Sequence, residues 1–307
     1  MLYARTTPQQ KRQALREGLR SGQLLQLPGA FNPLSAQLIQ DKGFPGLYIS
    51  GAVLSADLGL PDIGLTTLTE VATRARQIAR VTDLPAIVDA DTGFGEPMNT
   101  ARSVQEFEDS GVAGLHLEDQ INPKRCGHLD GKAVVSLETA VKRIKAAADA
   151  RRDPDFLIMA RTDAAAVEGI DAAIRRAQAF VDAGADAIFP EAMRTLADFE
   201  AMRAAVDIPI LANMTEFGKS ELFTAQQLAG VGVNMVIYPV TLLRSAMGEA
   251  ERTLDTLRAE GTQNSAVPGM QTRARLYELV DYEGYNRFDS AVFDFDVPDA
   301  YSKESRS

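Results

Sequence analysis

Eight short apolar runs, separated by longer stretches of helical periodicity, constrain this chain more than any other feature. The runs are Leu24–Gly29, Gly46–Ser50, Ala86–Asp91, Gly114–Asp119, Phe156–Thr162, Ala187–Pro190, Ile210–Asn213 and Met235–Tyr238. They are apolar along nearly their whole length, as strands covered on both faces must be. Eight parallel strands alternating with helices is the strand count of a (β/α)₈ barrel. The 307 residues suit one such barrel. The expectation is a single α/β TIM-type barrel domain over 1–307, with an N-terminal helix in about 1–22 and a C-terminal helical extension and tail over about 262–307.

The connecting stretches carry helix signals. Thr67-Leu68-Thr69-Glu70 and Ser136-Leu137-Glu138-Thr139 place a hydroxyl cap before an early acid. Asp171–Ala183 is alanine-rich and stops before Gly184, and the amphipathic stretch Thr241–Glu260 stops before Gly261. Gln9–Ser21 predicts a helix ahead of the barrel.

Polar residues gather at the ends of six of the runs: Ser50, Asp89 with Asp91, Glu118 with Asp119, Arg161 with Asp163, Glu191, and Asn213 with Thr215. In a barrel, the C-terminal strand ends form the active-site face. That convergence points to an enzyme. Charge narrows the partners. Lys and Arg number 32 and Asp and Glu 42, a net charge of −10 with no basic run, which argues against nucleic-acid and anionic-membrane binding. One cysteine leaves no internal disulfide framework, and no apolar run approaches the roughly 18 residues of a membrane span. The N-terminal stretch lacks the apolar segment of a signal peptide, so a cytoplasmic location is expected.

Three constellations carry chemistry. In Asp89-Ala90-Asp91 the two carboxylates are two residues apart on a strand and can face one point. Alone, this is an acidic turn; with Glu118 on the next strand it reads as a Mg²⁺ site, with Glu118 acting directly or through water. Lys124-Arg125-Cys126-Gly127-His128 sets the one thiol among cations, where it is either a poised acid, base or nucleophile, or an inert small residue. Arg161, Arg244 and Arg273 either clamp a polycarboxylate substrate or serve surface ion pairs. His116 is a satisfied interior histidine or a site residue, and Ser50-Gly51-Ala52 reads as a substrate-binding backbone turn. Gly93-x-Gly95 lacks the remaining parts of a dinucleotide fingerprint.

The segments VDADTGFG, GLHLEDQ, KRCGH, DPDFLIMARTDAAAVEGIDAAI, FPEA and LANMTEFG together resemble the 2-methylisocitrate lyase family of the isocitrate lyase/phosphoenolpyruvate mutase superfamily, in register from about Pro28 to about Glu278. The resemblance implies a helix-swapped homotetramer of barrels. It also implies Mg²⁺-dependent, retro-aldol-type cleavage of 2-methylisocitrate, a small tricarboxylate, to pyruvate and succinate. Carried over by position, it makes Asp89 and Asp91 the metal pair, with Glu118 supporting the metal's waters. Ser50, Gly51 and Ala52 line the pyruvate half. Cys126 and Gly127 contact the succinate half, with Arg161, Glu191, Asn213, Thr215, Arg244 and Arg273 as further ligands. Cys126 is the implied general acid, Lys124 and His128 tune its thiol, Tyr48 matches a residue considered as base, and Asp62 matches an acidic gating position.

The chain departs from that pattern after KRCGH, where Leu129-Asp130-Gly131-Lys132 is closer to isocitrate lyase. It lacks the long insertion of isocitrate lyases, and Phe189-Pro190-Glu191-Ala192 resembles the methylisocitrate branch. The rivals are isocitrate lyase or another diacid lyase of the superfamily and, in a different class, a non-catalytic carboxylate-binding barrel.

Overall fold

A computed structural model describes residues 4–125, 131–218 and 220–295. After the N-terminal helix α1 (Pro8–Arg20), the strands run β1 (Leu25–Pro28), β2 (Leu47–Ile49), β3 (Ala86–Asp89), β4 (Gly114–Glu118), β5 (Leu157–Thr162), β6 (Ala187–Pro190), β7 (Leu211–Asn213) and β8 (Met235–Tyr238). Every predicted run contains one of them. Helix α2 (Pro33–Asp41) follows β1. Helices α3 (Gly51–Asp57) and α4 (Leu68–Ala79) follow β2, and α5 (Pro97–Ser110) and α6 (Leu137–Ala150) follow β3 and β4. Helices α7 (Ala164–Val167) and α8 (Ile170–Asp182) follow β5, and α9 (Leu196–Ala205), α10 (Ala225–Gly230) and α11 (Thr241–Glu260) follow the last three strands. Helices α12 (Arg273–Leu279) and α13 (Tyr282–Phe293) form the C-terminal extension.

All paired strands are parallel, in the orders β2-β3-β4-β5-β6 and β1-β8-β7. Bridges between Gly29 and Tyr48 and between Ile188 and Ile210 join the two arcs, which closes the barrel. The capping signals act as expected. Thr67 and Glu70 form a reciprocal capping box at α4, Ser136 caps α6, and Gly261 ends α11 in the left-handed conformation.

Strand alternation sorts the side chains into two layers. Leu47, Ile49, Val88, Leu115, Ile158, Ile188 and Val236 pack outward against helix residues such as Ile78, Phe107, Phe180 and Phe199. Leu27, Tyr48, Ile87, Leu157, Met159, Phe189, Leu211 and Ile237 fill the interior, and Leu15 of α1 joins them from outside the strands. Continuing four of the inward rows by two residues turns them polar: Ile87 leads to Asp89, Met159 to Arg161, Phe189 to Glu191 and Leu211 to Asn213, and on β4 the inward His116 leads to Glu118. One alternation therefore builds the dry interior at one end and a polar ring at the other. Among the described residues, no helix is long and apolar enough to cross a membrane.

Candidate active site

Asp89 stands at the end of β3 in register with His116 on β4. Its two oxygens accept the Gly51 N–H at 3.1 Å and the Asp91 N–H at 3.0 Å. Asp91 lies in the left-handed region, with φ of 45°, a conformation aspartate tolerates better than most residues. A methyl group on Gly51 would sit 2.9 Å from Asp89 Oδ2 and 3.3 Å from Asp91 Oδ1. The two carboxylates therefore converge on one point above a residue that lacks a side chain. Among the described residues, no three His, Cys, Asp or Glu side chains form a direct cage. This is a two-carboxylate cradle, of the kind that suits Mg²⁺ with several retained waters.

Lys124 Nζ reaches into the cradle, 2.8 Å from Asp91 Oδ1, and pairs with Asp62 as well. Burial would lower its pKa, but Asp91, Glu118, Asp89 and Asp62 hold it well above the ordinary value. The carboxylates divide. Burial opposes ionisation of Asp89, yet the facing imidazole, the Lys124 and Arg161 cations and the Asp91 N–H bring it down to about 2. Burial and the neighbouring Asp89 push Asp91 up to about 6 against the pull of Lys124.

Glu118 and Arg161 are register partners on β4 and β5, with Arg161 Nε 3.3 Å from Glu118 Oε2. Glu118 is 2% exposed, and its two carboxylate oxygens accept no hydrogen bond among the described residues. Burial raises its pKa well above normal. An unsatisfied buried carboxylate is costly, and waters on a cation in the cradle would supply donors to it. Arg161 lies over the Phe189 ring, with its Cζ 5.1 Å from the ring centre, and donates to Asp163 through Nε and Nη2 at 2.9 and 3.2 Å. Glu191 is fully buried, 4.0 Å from Arg161 Nη2 and 3.3 Å from Asn213 Nδ2.

Tyr48 Oη lies 2.7 Å from His116 Nε2 beneath this ring. Burial, then Asp89, pushes the phenol well above its normal range, and burial lowers His116 to about 4. Both are neutral near pH 7. Ser50 spends its hydroxyl on the Val53 N–H at the start of α3. A cavity of about 50 Å³ opens between Ser50, Ala52, Asp62, Lys124, Thr215 and the ring residues, walled on one side by Phe189, Ile237, Pro239 and Val240. Asp91 lines a second, more open cleft of about 510 Å³ with Thr66, Thr92, Asn99 and Asn122.

The structure thus gathers Tyr48, Ser50, Gly51, Ala52, Asp62, Asp89, Asp91, Glu118, Lys124, Arg161, Glu191, Asn213 and Thr215. Arg244 stands at the rim, donating to Thr215 Oγ1 at 3.3 Å but held more closely by Glu216. Arg273 is exposed at the start of α12 and does not line the cavity. Cys126, Gly127 and His128 lie outside the described residues. Two contacts were not foreseen from sequence: the two-point pairing of Asp163 with Arg161, and that of Lys132 with Asp163 at 2.7 Å.

Known proteins resemble the chain throughout. The model of the family described as phosphoenolpyruvate phosphomutase matches residues 15–258. A protein of Corynebacterium glutamicum named probable 2-methylisocitrate lyase 2 is 63% identical over 294 residues, covering 96% of this chain and 95% of its own. The 2-methylisocitrate lyase of Escherichia coli is 50% identical over 274 residues, covering 89% of this chain and 93% of its own. Among solved structures, a phosphonopyruvate hydrolase in complex with oxalate and Mg²⁺ superposes with a TM-score of 0.82 at 30% identity, covering 93% of this chain and 99% of its own.

Proposed function

The chain belongs to the phosphoenolpyruvate phosphomutase family and within it to the 2-methylisocitrate lyases, and on that premise we propose that it cleaves 2-methylisocitrate to pyruvate and succinate with Mg²⁺, the lyase step of the methylcitrate cycle. The observation that carries the reading at this site is the convergence of Asp89 and Asp91 over Gly51, with Arg161 and an unsatisfied Glu118 on the adjoining strands.

Breaking the bond turns the hydroxyl-bearing carbon into the carbonyl of pyruvate and leaves an electron pair beside a carboxylate in the succinate fragment. Asp89 and Asp91 would hold Mg²⁺, which would supply Lewis-acid polarisation of the substrate and favour ionisation of its hydroxyl. Ser50, Gly51 and Ala52 hold the pyruvate half at the start of α3. Arg161, with Asn213, Thr215 and Arg244, binds the carboxylates of the succinate half and stabilises the spreading charge. Tyr48 stays protonated in its buried place, so it serves as a hydrogen-bond donor rather than as the base its position suggests. Cys126 protonates the carbanion. Lys124 and His128 flank that thiol in sequence, and in the described arrangement Lys124 is spent on Asp91 and Asp62. The cavity of about 50 Å³ has room for a water or two, not a tricarboxylate, so substrate entry requires the side chains around it to move.

The test is a pyruvate-coupled assay with 2-methylisocitrate and Mg²⁺, beside a glyoxylate assay with isocitrate. A higher kcat/KM for 2-methylisocitrate supports the reading. Preference for isocitrate would make Leu129-Asp130-Gly131-Lys132 the better guide, and one methyl group is worth only about 1–3 kcal/mol of discrimination.

Gly51→Ala tests the cradle. Gly51 lies outside the left-handed region, so alanine fits its backbone, but the new methyl crowds both carboxylates. Mg²⁺ affinity, read by calorimetry, is expected to fall roughly tenfold, the effect of about 1.4 kcal/mol, with the fold intact. Affinity equal to wild type would move the metal elsewhere.

The acting form is a homo-oligomer, a tetramer by family resemblance. Helix α11 has no buried residue among its 20, and Met247, Leu254, Tyr285, Phe288, Val292 and Phe293 are exposed along α11 and α13. Large exposed apolar side chains on helices of this kind fit an interface. Light scattering after size exclusion is expected to read several chains per particle, and Phe288→Lys with Phe293→Lys is expected to lower that number. A monomeric wild type would overturn the assignment.

A further inference from the structure

Arg161 is surrounded by more carboxyl groups than one guanidinium can pair with closely. Asp163, Glu118 and Glu191 all face it, and Asp163 makes the close two-point contact. Left alone, such a cluster would hold the cation's charge for itself and leave little for an anionic substrate. A second buried cation changes that balance. Lys132 Nζ lies 2.7 Å from Asp163 Oδ1, with the lysine side chain 3% exposed and the aspartate 0%. Lys132 came to notice in the sequence only as the end of Leu129-Asp130-Gly131-Lys132, and nothing in the proposed reaction uses it.

The contact is anchored at each end. Lys132 enters a short antiparallel pairing, in which the Ile121 N–H donates to the Ala133 carbonyl and the Val135 N–H to the Asp119 carbonyl, each at 2.9 Å. The Asp163 N–H donates to Asp119 Oδ1 at 2.9 Å, and Asp119 is itself fixed by the Thr162 hydroxyl at 2.7 Å. Asp163 is therefore a fixed point, not a mobile counter-ion. It takes the Nε and Nη2 edge of Arg161, and Nη1 donates to no described residue. Arg161 itself lines the cavity.

We propose that Asp163 is a positioning residue that orients Arg161, and that Lys132, by sharing Asp163, keeps the charge and Nη1 of Arg161 available to a substrate carboxylate. The inference rests on the reading of Arg161 as a carboxylate ligand. Buried charges a few ångströms apart interact strongly, and a guanidinium presents its donors in a fixed plane, so its orientation decides which carboxylate it can clamp.

The test uses the full-length protein with Mg²⁺ and succinate as the probe. Lys132→Met keeps the bulk and removes the charge. Its dissociation constant for succinate is expected to rise about tenfold, and KM for 2-methylisocitrate is expected to change more than kcat. Lys132→Arg is expected to recover most of the affinity. A melting temperature that drops while succinate affinity stays within twofold of wild type would show a purely structural pair and overturn the proposal. If Lys132→Met does not fold, Lys132→Met with Asp163→Asn restores the charge balance. A tenfold loss of affinity in that double variant supports the proposal, and wild-type affinity overturns it. The two readings separate in the wild type. Succinate binding without cleavage of 2-methylisocitrate removes the substrate assignment and leaves the Lys132 comparison decisive, whereas no succinate binding removes both.

Discussion

Asp89→Ala is expected to fold, to lose its response to Mg²⁺ and to lower kcat/KM by about a thousandfold or more, the scale of several kcal/mol of lost metal assistance. The structural reason is that Asp89 does three things at once. It supplies half of the cradle, accepts the Gly51 N–H that fixes the start of α3, and accepts the Asp91 N–H that holds Asp91 in its left-handed conformation. Asp89→Asn separates these roles, because the amide oxygen can still accept one N–H while the charge is gone. The asparagine variant is expected to keep a melting temperature closer to wild type than the alanine variant, with metal affinity lost in both. Calorimetric Mg²⁺ titration beside steady-state kinetics decides it. Wild-type metal affinity in Asp89→Ala would end the assignment of this cradle.

The second large effect concerns the thiol. Cys126→Ser is expected to preserve the fold, Mg²⁺ affinity and substrate KM within a few-fold, and to reduce kcat by about a thousandfold, within the range for loss of a general acid. A serine hydroxyl occupies similar space but gives up its proton far less readily. The expectation comes from the position of Cys126 in the Lys124–His128 motif, since the residue lies outside the described part of the chain. Single-turnover measurements in D₂O would sharpen it: the isotope effect on proton delivery should be larger in the serine variant. A kcat near wild type would exclude the thiol from the chemistry.

The barrel could be read from sequence because its strands are covered on both faces. Each predicted run contains its strand, with Leu24–Gly29 trimmed to Leu25–Pro28 and Ala187–Pro190 unchanged. Capping chemistry is equally local, which is why Thr67, Ser136 and Gly261 stand where expected. The site was legible only to the level of strand ends. Glu118 and Asp119 look equivalent in the sequence, but adjacent residues on a strand face opposite sides. Glu118 points into the ring, whereas Asp119 points outward to Thr162 and Arg176. That Tyr48 is buried against His116 is likewise not visible in the sequence. The Lys132–Asp163 pair spans 31 residues, and no local pattern announces a contact of that kind. Arg273 is a different case, exposed and absent from the cavity lining. It sits in a matching stretch, but its place depends on how the C-terminal helices pack, which a motif does not encode.

The ammonium of Lys124 stands between Asp62 and Asp91. A pair of close carboxylates would ordinarily repel one another in a chain that has not yet met its metal. Here the chain brings its own positive charge to that spot, so the barrel can reach its final shape from its own residues. A cation entering the cradle would therefore have to compete with the Lys124 ammonium for Asp91.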